Sequence, residues 1–219
     1  MFDLGFSMGV IVETLVSTYG LDGQPNVAPM GAIIEETRFM VLRIYTSSLT
    51  YKNLQAKKCA VVNVTSDPEL FYRTAFKEVN PDGRIPQELF EKAETVEAPR
   101  LRTADAHIEV TVVEIAHYDS EKAEVTCEAK LVRASNLLPK AYCRASFAAI
   151  EAVIHATRVK YFLLHGGREK HEKALQLLEK ISDCQEIANH VAPSSRYSEI
   201  MKDLTQRIEV WRAKGESLR

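Results

Sequence analysis

The chain has 219 residues, of which 46% are hydrophobic and 26% are charged, and its formal net charge is -2. This is the composition of an ordinary globular protein, long enough to bury a core. Residues 1–138 carry 14 Lys and Arg against 20 Asp and Glu, and residues 139–219 carry 14 against 10, giving net charges of -6 and +4. Because this asymmetry is mild and no basic run exceeds two residues, a nucleic-acid-binding surface is not expected.

The cysteines and the N-terminal segment limit which kinds of site and which cellular location are expected. Cys59, Cys127, Cys143 and Cys184 are widely spaced and form no C-x-x-C motif, so neither a metal site nor a redox disulfide is expected. The N-terminus lacks a basic segment, and its apolar run ends at Glu13, so it does not read as a signal peptide. No window reaches the roughly 18 to 20 apolar residues of a membrane span. The sequence predicts a cytoplasmic protein with no membrane partner.

The first part of the chain is predicted to form antiparallel strands. Residues 10–19 are rich in β-branched side chains and stop at the turn sequence G-L-D-G. Further strands are predicted at 27–34, 39–45 and 60–64. A short helix is predicted at 52–57. Alternation around 108–112 and 125–131, with the polar link Y-D-S-E-K between them, predicts a long hairpin. About six strands are enough for a small closed barrel.

Residues 66–100 differ from their surroundings. They contain four prolines and an N-P-D-G turn, which predicts an excursion from the sheet with some helix of its own. Four aromatic side chains in it are predicted to be exposed, namely Phe71, Tyr72, Phe76 and Phe90. Two roles are open: a lid over a ligand, or a surface flap that packs on a partner subunit.

Helical periodicity replaces the strand pattern after Pro139. Three amphipathic helices are predicted, and Ser194 or Ser195 is expected to cap the third. The residues predicted to face inward are Phe147, Ile150, Ile154 and Tyr161 in the first helix, Ala174, Leu177, Leu178, Ile181, Cys184, Ala188 and Val191 in the second, and Tyr197, Ile200, Met201, Leu204, Ile208 and Trp211 in the third. The predicted fold class is therefore α+β with a mainly β core, divided into residues 1–138 and a helical region at 139–219.

A hydroxyl-rich stretch leads from the third predicted strand into the first helix. It reads R-I-Y-T-S-S-L-T-Y-K-N-L and contains Thr46, Ser47, Ser48 and Thr50. One interpretation is an anion-binding turn, since free backbone N-H groups and the helix dipole favour negative charge at a helix N-terminus. The other is a simple helix cap with solvated basic residues. The residues alone leave both open.

The preceding strand carries P-N-V-A-P-M-G at 25–31. Pro29 cannot donate a ladder hydrogen bond, so this part of the strand is predicted to lie at an edge or a bulge. An antiparallel neighbour would bring it beside the hydroxyl-rich stretch. Its backbone would then be free to face a ligand.

Together these motifs resemble a known superfamily. A strand with N-V-A-P-M-G, then a strand ending in hydroxyls, then T-Y-K-N-L opening a short helix resemble the split-barrel flavoproteins that bind FMN. With E-T-L-V-S-T at 13–18 and A-A-I-E-A-V-I-H-A-T-R at 148–158, the chain is similar, more narrowly, to the prokaryotic domain of unknown function 447 family. The resemblance covers most of the chain, including the helical tail.

The resemblance implies an FMN-binding split β-barrel and a homodimer with FMN near the subunit interface. Carried over by position, Asn26, Val27, Ala28 and Pro29 would border the isoalloxazine ring. The residues implied at the phosphate are Arg43, Thr46, Ser47, Ser48, Thr50 and Lys52, with Asn53 supporting the turn. No acid or base residue stands out, so no catalytic residue is assigned.

The implied function is that of an oxidoreductase of flavin-reductase type with an unknown substrate. No G-x-G-x-x-G motif is present, so a nicotinamide would bind transiently over the flavin and not in a domain of its own. Two alternatives are open: the same pocket holding a deazaflavin, or a barrel that serves as a binding or scaffold protein without catalysis.

Overall fold

The computed structural model describes residues 1–6, 8–117, 119–134, 143–165 and 167–217. The chain divides into two compact units, one made of residues 1–65 with 76–138 and the other of residues 66–75 with 139–219. The predicted boundary at 138 lies outside the described residues and stays a prediction. The predicted insertion is split between the units, because its first ten residues group with the C-terminal helices.

The first unit is a closed six-stranded antiparallel barrel with strand order β1-β2-β3-β8-β7-β4, in which β4 also pairs with β1. A two-stranded sheet of β5 and β6 accompanies it. The elements of this unit are β1 (Ile11–Tyr19), β2 (Pro25–Glu36), β3 (Phe39–Tyr45), α1 (Leu49–Lys57), β4 (Cys59–Val64), β5 (Phe90–Lys92), β6 (Pro99–Leu101), β7 (Ala106–His117) and β8 (Lys122–Ala134). The predicted barrel and hairpin are confirmed.

Helix α1 is part of the barrel core. Its side chains Tyr51 and Leu54 are buried in the same apolar cluster as Val16 of β1 and Leu42 of β3. The helix begins at Leu49, three residues before the predicted start, because the chain turns directly from the end of β3 into the cap. Since the core fixes α1 on its inner side, the position of its N-terminus is fixed as well.

The prediction of exposed aromatics between residues 66 and 100 was wrong. Phe71, Tyr72, Phe76 and Phe90 are all buried. The prolines suggested a surface excursion, but they only interrupt the secondary structure and leave the aromatic side chains free to pack.

The second unit consists of helices α2 (Pro68–Ala75), α3 (Arg144–His165), α4 (Arg168–Val191) and α5 (Arg196–Ser217). Ile200, Met201, Leu204, Ile208 and Trp211 of α5 are buried as predicted. The Ser195 hydroxyl accepts a hydrogen bond from the N-H of Tyr197, which confirms the predicted cap. Across the described part of the chain, no helix is long and apolar enough to cross a membrane.

The predicted inner face of α3 was partly wrong. Phe147 is 45% exposed, whereas Ala145, Ala149, Ala152 and Ala156 are completely buried. Helices α3 and α4 pack closely on each other, and alanines permit this close approach. Periodicity weighted by large side chains therefore selected the wrong stripe.

A hydrogen-bonded cluster joins α2 to α5 within this unit. The Tyr72 hydroxyl bonds to the Asp203 carboxylate, and Arg207 Nε donates to the Tyr72 oxygen at 3.2 Å and to Asp203 Oδ2 at 2.5 Å. Burial and the Asp203 carboxylate raise the pKa of Tyr72 from 10.0 to about 12. The protonated phenol is the form that the folded unit favours.

The free energy of unfolding is expected to fall as the pH rises from 10 to about 12. Over this range the unfolded chain loses the Tyr72 proton before the folded chain does, so the stability contributed below pH 10 is progressively lost. Urea unfolding at pH 9 and pH 11 would measure it. Tyr72→Phe should show a smaller drop than the wild type, and equal drops in the two proteins would contradict the assignment.

Candidate functional site

Strand pairing on one side of β2 stops partway along the strand. β2 pairs with β1 from Pro25 to Ile33, but it pairs with β3 only from Ala32 to Glu36. Within the described residues, the edge at 25–31 therefore faces no partner strand, and Pro29 lies on it without an N-H to donate. The predicted strand edge is confirmed.

The N-terminus of α1 lies beside this edge, since α1 packs on β1 and β2. The Ser48 hydroxyl accepts a hydrogen bond from the Tyr51 N-H at 3.1 Å, so Ser48 is the N-cap. As acceptor of that bond, the hydroxyl keeps its own proton free to donate. The cap interpretation is therefore confirmed for Ser48 and does not exclude an anion at the same turn.

Several donors of this turn have no acceptor in the described protein. They are the backbone N-H groups of Ser47, Leu49 and Thr50, the hydroxyl of Ser47 and the ammonium of Lys52. The side chains of Ser47 and Lys52 are exposed. Free N-H groups, a hydroxyl and a cation at one helix N-terminus are the donor set that binds phosphate groups.

A buried polar network joins the β2 edge to α1 from the inner side. Asn26 Nδ2 donates to Thr50 Oγ1 at 3.0 Å and lies 3.4 Å from Thr18 Oγ1, while Asn53 Nδ2 donates to Thr18 Oγ1 at 2.9 Å. All four side chains are at most 3% exposed. Buried amides need partners, so the three bonds hold β1, β2 and α1 in one relative position.

Lys77, which was not predicted from the sequence, completes this network. It lies in a short 3-10 turn after α2, and its Nζ donates to Asn26 Oδ1. Burial lowers its pKa. Nothing in the sequence singles it out, because the insertion has no periodicity that would place Lys77 beside Asn26.

The remaining predicted site residues lie nearby but differ in availability. Val27 is buried, and Ala28 and Pro29 are half-buried along the open edge. The Thr46 hydroxyl donates to the carbonyl of Glu121 at 3.2 Å. Arg43 is paired with Glu124 at 2.9 Å on the exposed side of β3. The structure thus joins Asn26, Thr50 and Asn53 in one network and places the exposed Ser47 and Lys52 at the same helix N-terminus, whereas Arg43 is exposed on β3 and paired with Glu124.

Comparisons with known proteins bear on the fold. The family model described as "Protein of unknown function (DUF447) N-terminal domain" matches residues 12–136. An FMN-bound protein of the same family from Methanosarcina mazei is 24% identical with a TM-score of 0.74, over 94% of this chain and 98% of that one. Nitrilotriacetate monooxygenase component B from Bacillus cereus is 13% identical with a TM-score of 0.50, over 67% and 81%. At these identities the likeness shows a shared fold, so the predicted split barrel is confirmed.

Replacing the cap residue tests the local structure of the turn. Ser48→Ala is expected to lower the free energy of unfolding by about 1 kcal/mol, because the Tyr51 N-H loses its acceptor. Urea unfolding would measure the loss, and the dependence of the unfolding free energy on urea concentration should not change. Ser47→Ala is the matched control and should change stability by less than about 0.5 kcal/mol. Equal losses in both variants would contradict the assignment of the cap to Ser48.

Proposed function

We propose that this chain, which belongs to the DUF447 protein family, is an FMN-binding flavoprotein. One observation carries the proposal: the unused donors of the α1 turn stand next to the unpaired edge of β2. Support comes also from the similar protein of Methanosarcina mazei, which is FMN-bound. A flavin mononucleotide has one phosphate and one flat ring, and the site offers a donor set and an open strand edge.

The residues present fit both parts of the cofactor. The phosphate would be held by the N-H groups of Ser47, Leu49 and Thr50 with the side chains of Ser47, Ser48 and Lys52. Residues 27–29 would border the ring. Hydrogen bonds to a charged group are worth roughly 1.5 to 3 kcal/mol each, whereas the helix dipole adds only about 0.3 to 1 kcal/mol. Side-chain and backbone donors would therefore supply most of the phosphate affinity.

Four of the predicted side chains are already engaged in contacts within the protein. Thr50 and Asn53 are buried in the polar network and would hold the turn from beneath. The Arg43 charge is largely offset by its pair with Glu124 at 2.9 Å, so Arg43 would contribute less to the phosphate than Lys52. Thr46 would have to give up its bond to the Glu121 carbonyl before its hydroxyl could donate to a ligand.

The proposed activity is oxidoreduction of the flavin-reductase type. FMN, when bound, supplies hydride or electron transfer, and protein donors near the ring tune it. In this chain the buried Asn26 network would fix the strand edge against which the ring lies. A nicotinamide or another small reductant would bind transiently on the open side, in the cytoplasm.

We also propose a homodimer. Met8, Val10 and Ile11 follow one another near the start of β1, and each is more than half exposed. Large apolar side chains adjacent on a surface favour an interface, and a second copy is the partner that the family resemblance implies.

Titration with FMN tests the cofactor. The wild type is expected to show a shifted flavin absorbance spectrum and saturable binding. Ser47→Ala and Lys52→Ala should each raise the Kd of FMN about tenfold or more, since each removes a hydrogen bond to the phosphate. Arg38→Ala, which removes an exposed arginine paired with Glu128, is the control. A wild type that does not bind FMN would overturn the proposal.

Analytical ultracentrifugation tests the dimer. The wild type should sediment at about twice its chain mass of 24.7 kDa, since an apolar patch favours association. Val10→Asp should shift it towards the monomer, because a buried charge opposes association. Leu21→Asp, at an exposed turn position, should leave the mass unchanged. A monomeric wild type would contradict the dimer.

A further inference from the structure

Lys77 is a positively charged side chain held in the interior of the candidate site. Its Nζ bonds to Asn26 Oδ1, and this is its one hydrogen bond within the described chain. The partner is a neutral amide. Within the described chain the ammonium is paired with no carboxylate, and burial lowers its pKa.

Other basic side chains near the turn are placed differently. Arg43 is paired with the Glu124 carboxylate and is exposed, so its charge is largely compensated and screened. Lys52 is exposed to solvent, where salt weakens its attraction to an anion. Lys77 combines partial burial with an uncompensated charge, and a charge withdrawn from water acts more strongly on a nearby anion.

The position of Lys77 follows from Asn26. The Asn26 amide oxygen accepts a hydrogen bond from the Lys77 ammonium, and the amide nitrogen donates to Thr50 Oγ1 at 3.0 Å. Thr50 is the second residue of α1, and its backbone N-H is one of the free donors. A single amide group therefore separates the Lys77 charge from the first turn of α1.

We propose that Lys77 is a specificity-determining residue, whose charge makes this site select a phosphorylated flavin over the same flavin without a phosphate. The inference rests on the proposed function and extends it to ligand selection. Because the Asn26 amide fixes the ammonium in place, little side-chain freedom is lost when the phosphate arrives. Ligand selection thus draws on a residue of the insertion in addition to the donors of the hydroxyl-rich turn.

The test compares FMN with riboflavin, which differ by the phosphate. Lys77→Gln keeps an N-H donor but removes the charge. It should raise the Kd of FMN about tenfold or more, because the charge that attracts the phosphate is lost, and leave the Kd of riboflavin within about twofold. Lys77→Arg should restore most of the preference. Lys92→Gln, at an exposed position of the same insertion, is the matched control.

The possible results separate the two proposals. Equal weakening of FMN and riboflavin, or no change in either, would overturn the role of Lys77 while leaving a flavin site intact. A wild type that binds neither ligand would instead remove the flavin site itself. If the Lys77 variants unfold, the wild type still decides the matter: it must bind FMN more tightly than riboflavin, with a preference that survives high salt, and equal affinity for both would reject the inference.

Discussion

The end of strand pairing between β2 and β3 is the constraint on which the site depends. A closed antiparallel barrel satisfies its backbone groups along every strand, and a gap in the ladder is costly unless something else occupies the place. Here the unpaired stretch of β2 lies at residues 25–31, before Ala32, and the chain leaving β3 turns into α1 beside it. Because the chain turns away from β2 at the end of β3, the edge of β2 is left without a partner strand and a helix N-terminus forms beside it. Both parts of the candidate site therefore have one origin.

Polar contacts and the apolar packing of α1 together hold the gap open. Asn26, Thr18, Thr50 and Asn53 are buried and satisfy one another. An incomplete buried network lowers stability because polar groups are left without partners, whereas a complete one fixes a single arrangement of its side chains. Tyr51 and Leu54 anchor α1 to the core from the same helix. The turn is thereby preorganised, so that a ligand would meet donors already in place.

The barrel could be predicted from the sequence because each strand shows alternation or β-branched runs between turn signals. The edge at Pro29 followed from the missing N-H, and the cap at Ser48 from its place before a helix. Lys77 could not be predicted, since its contact with Asn26 joins residues 51 positions apart through a segment without periodicity. The inner face of α3 was predicted wrongly at Phe147. Large apolar residues dominate a helical periodicity pattern, whereas closely packed helices bury alanines.

The family resemblance assigns exposed and buried residues alike to the cofactor site. The structure separates them: Ser47 and Lys52 are exposed, whereas Thr50, Asn53 and Asn26 support them from within. A substitution in the second group changes the scaffold and the site together. Conclusions about ligand contacts are therefore best drawn from the exposed group.

The placement of α2 bears on where this chain can be divided. Although α2 lies between two barrel strands in the chain, it packs with α3 and α5. A fragment that ends with β8 would keep α2 but lack α3 and α5, the helices on which α2 packs. The segment matched by the family model, residues 12–136, likewise contains α2 without these partners. Truncation at its end would therefore remove the contacts that α2 makes with α3 and α5.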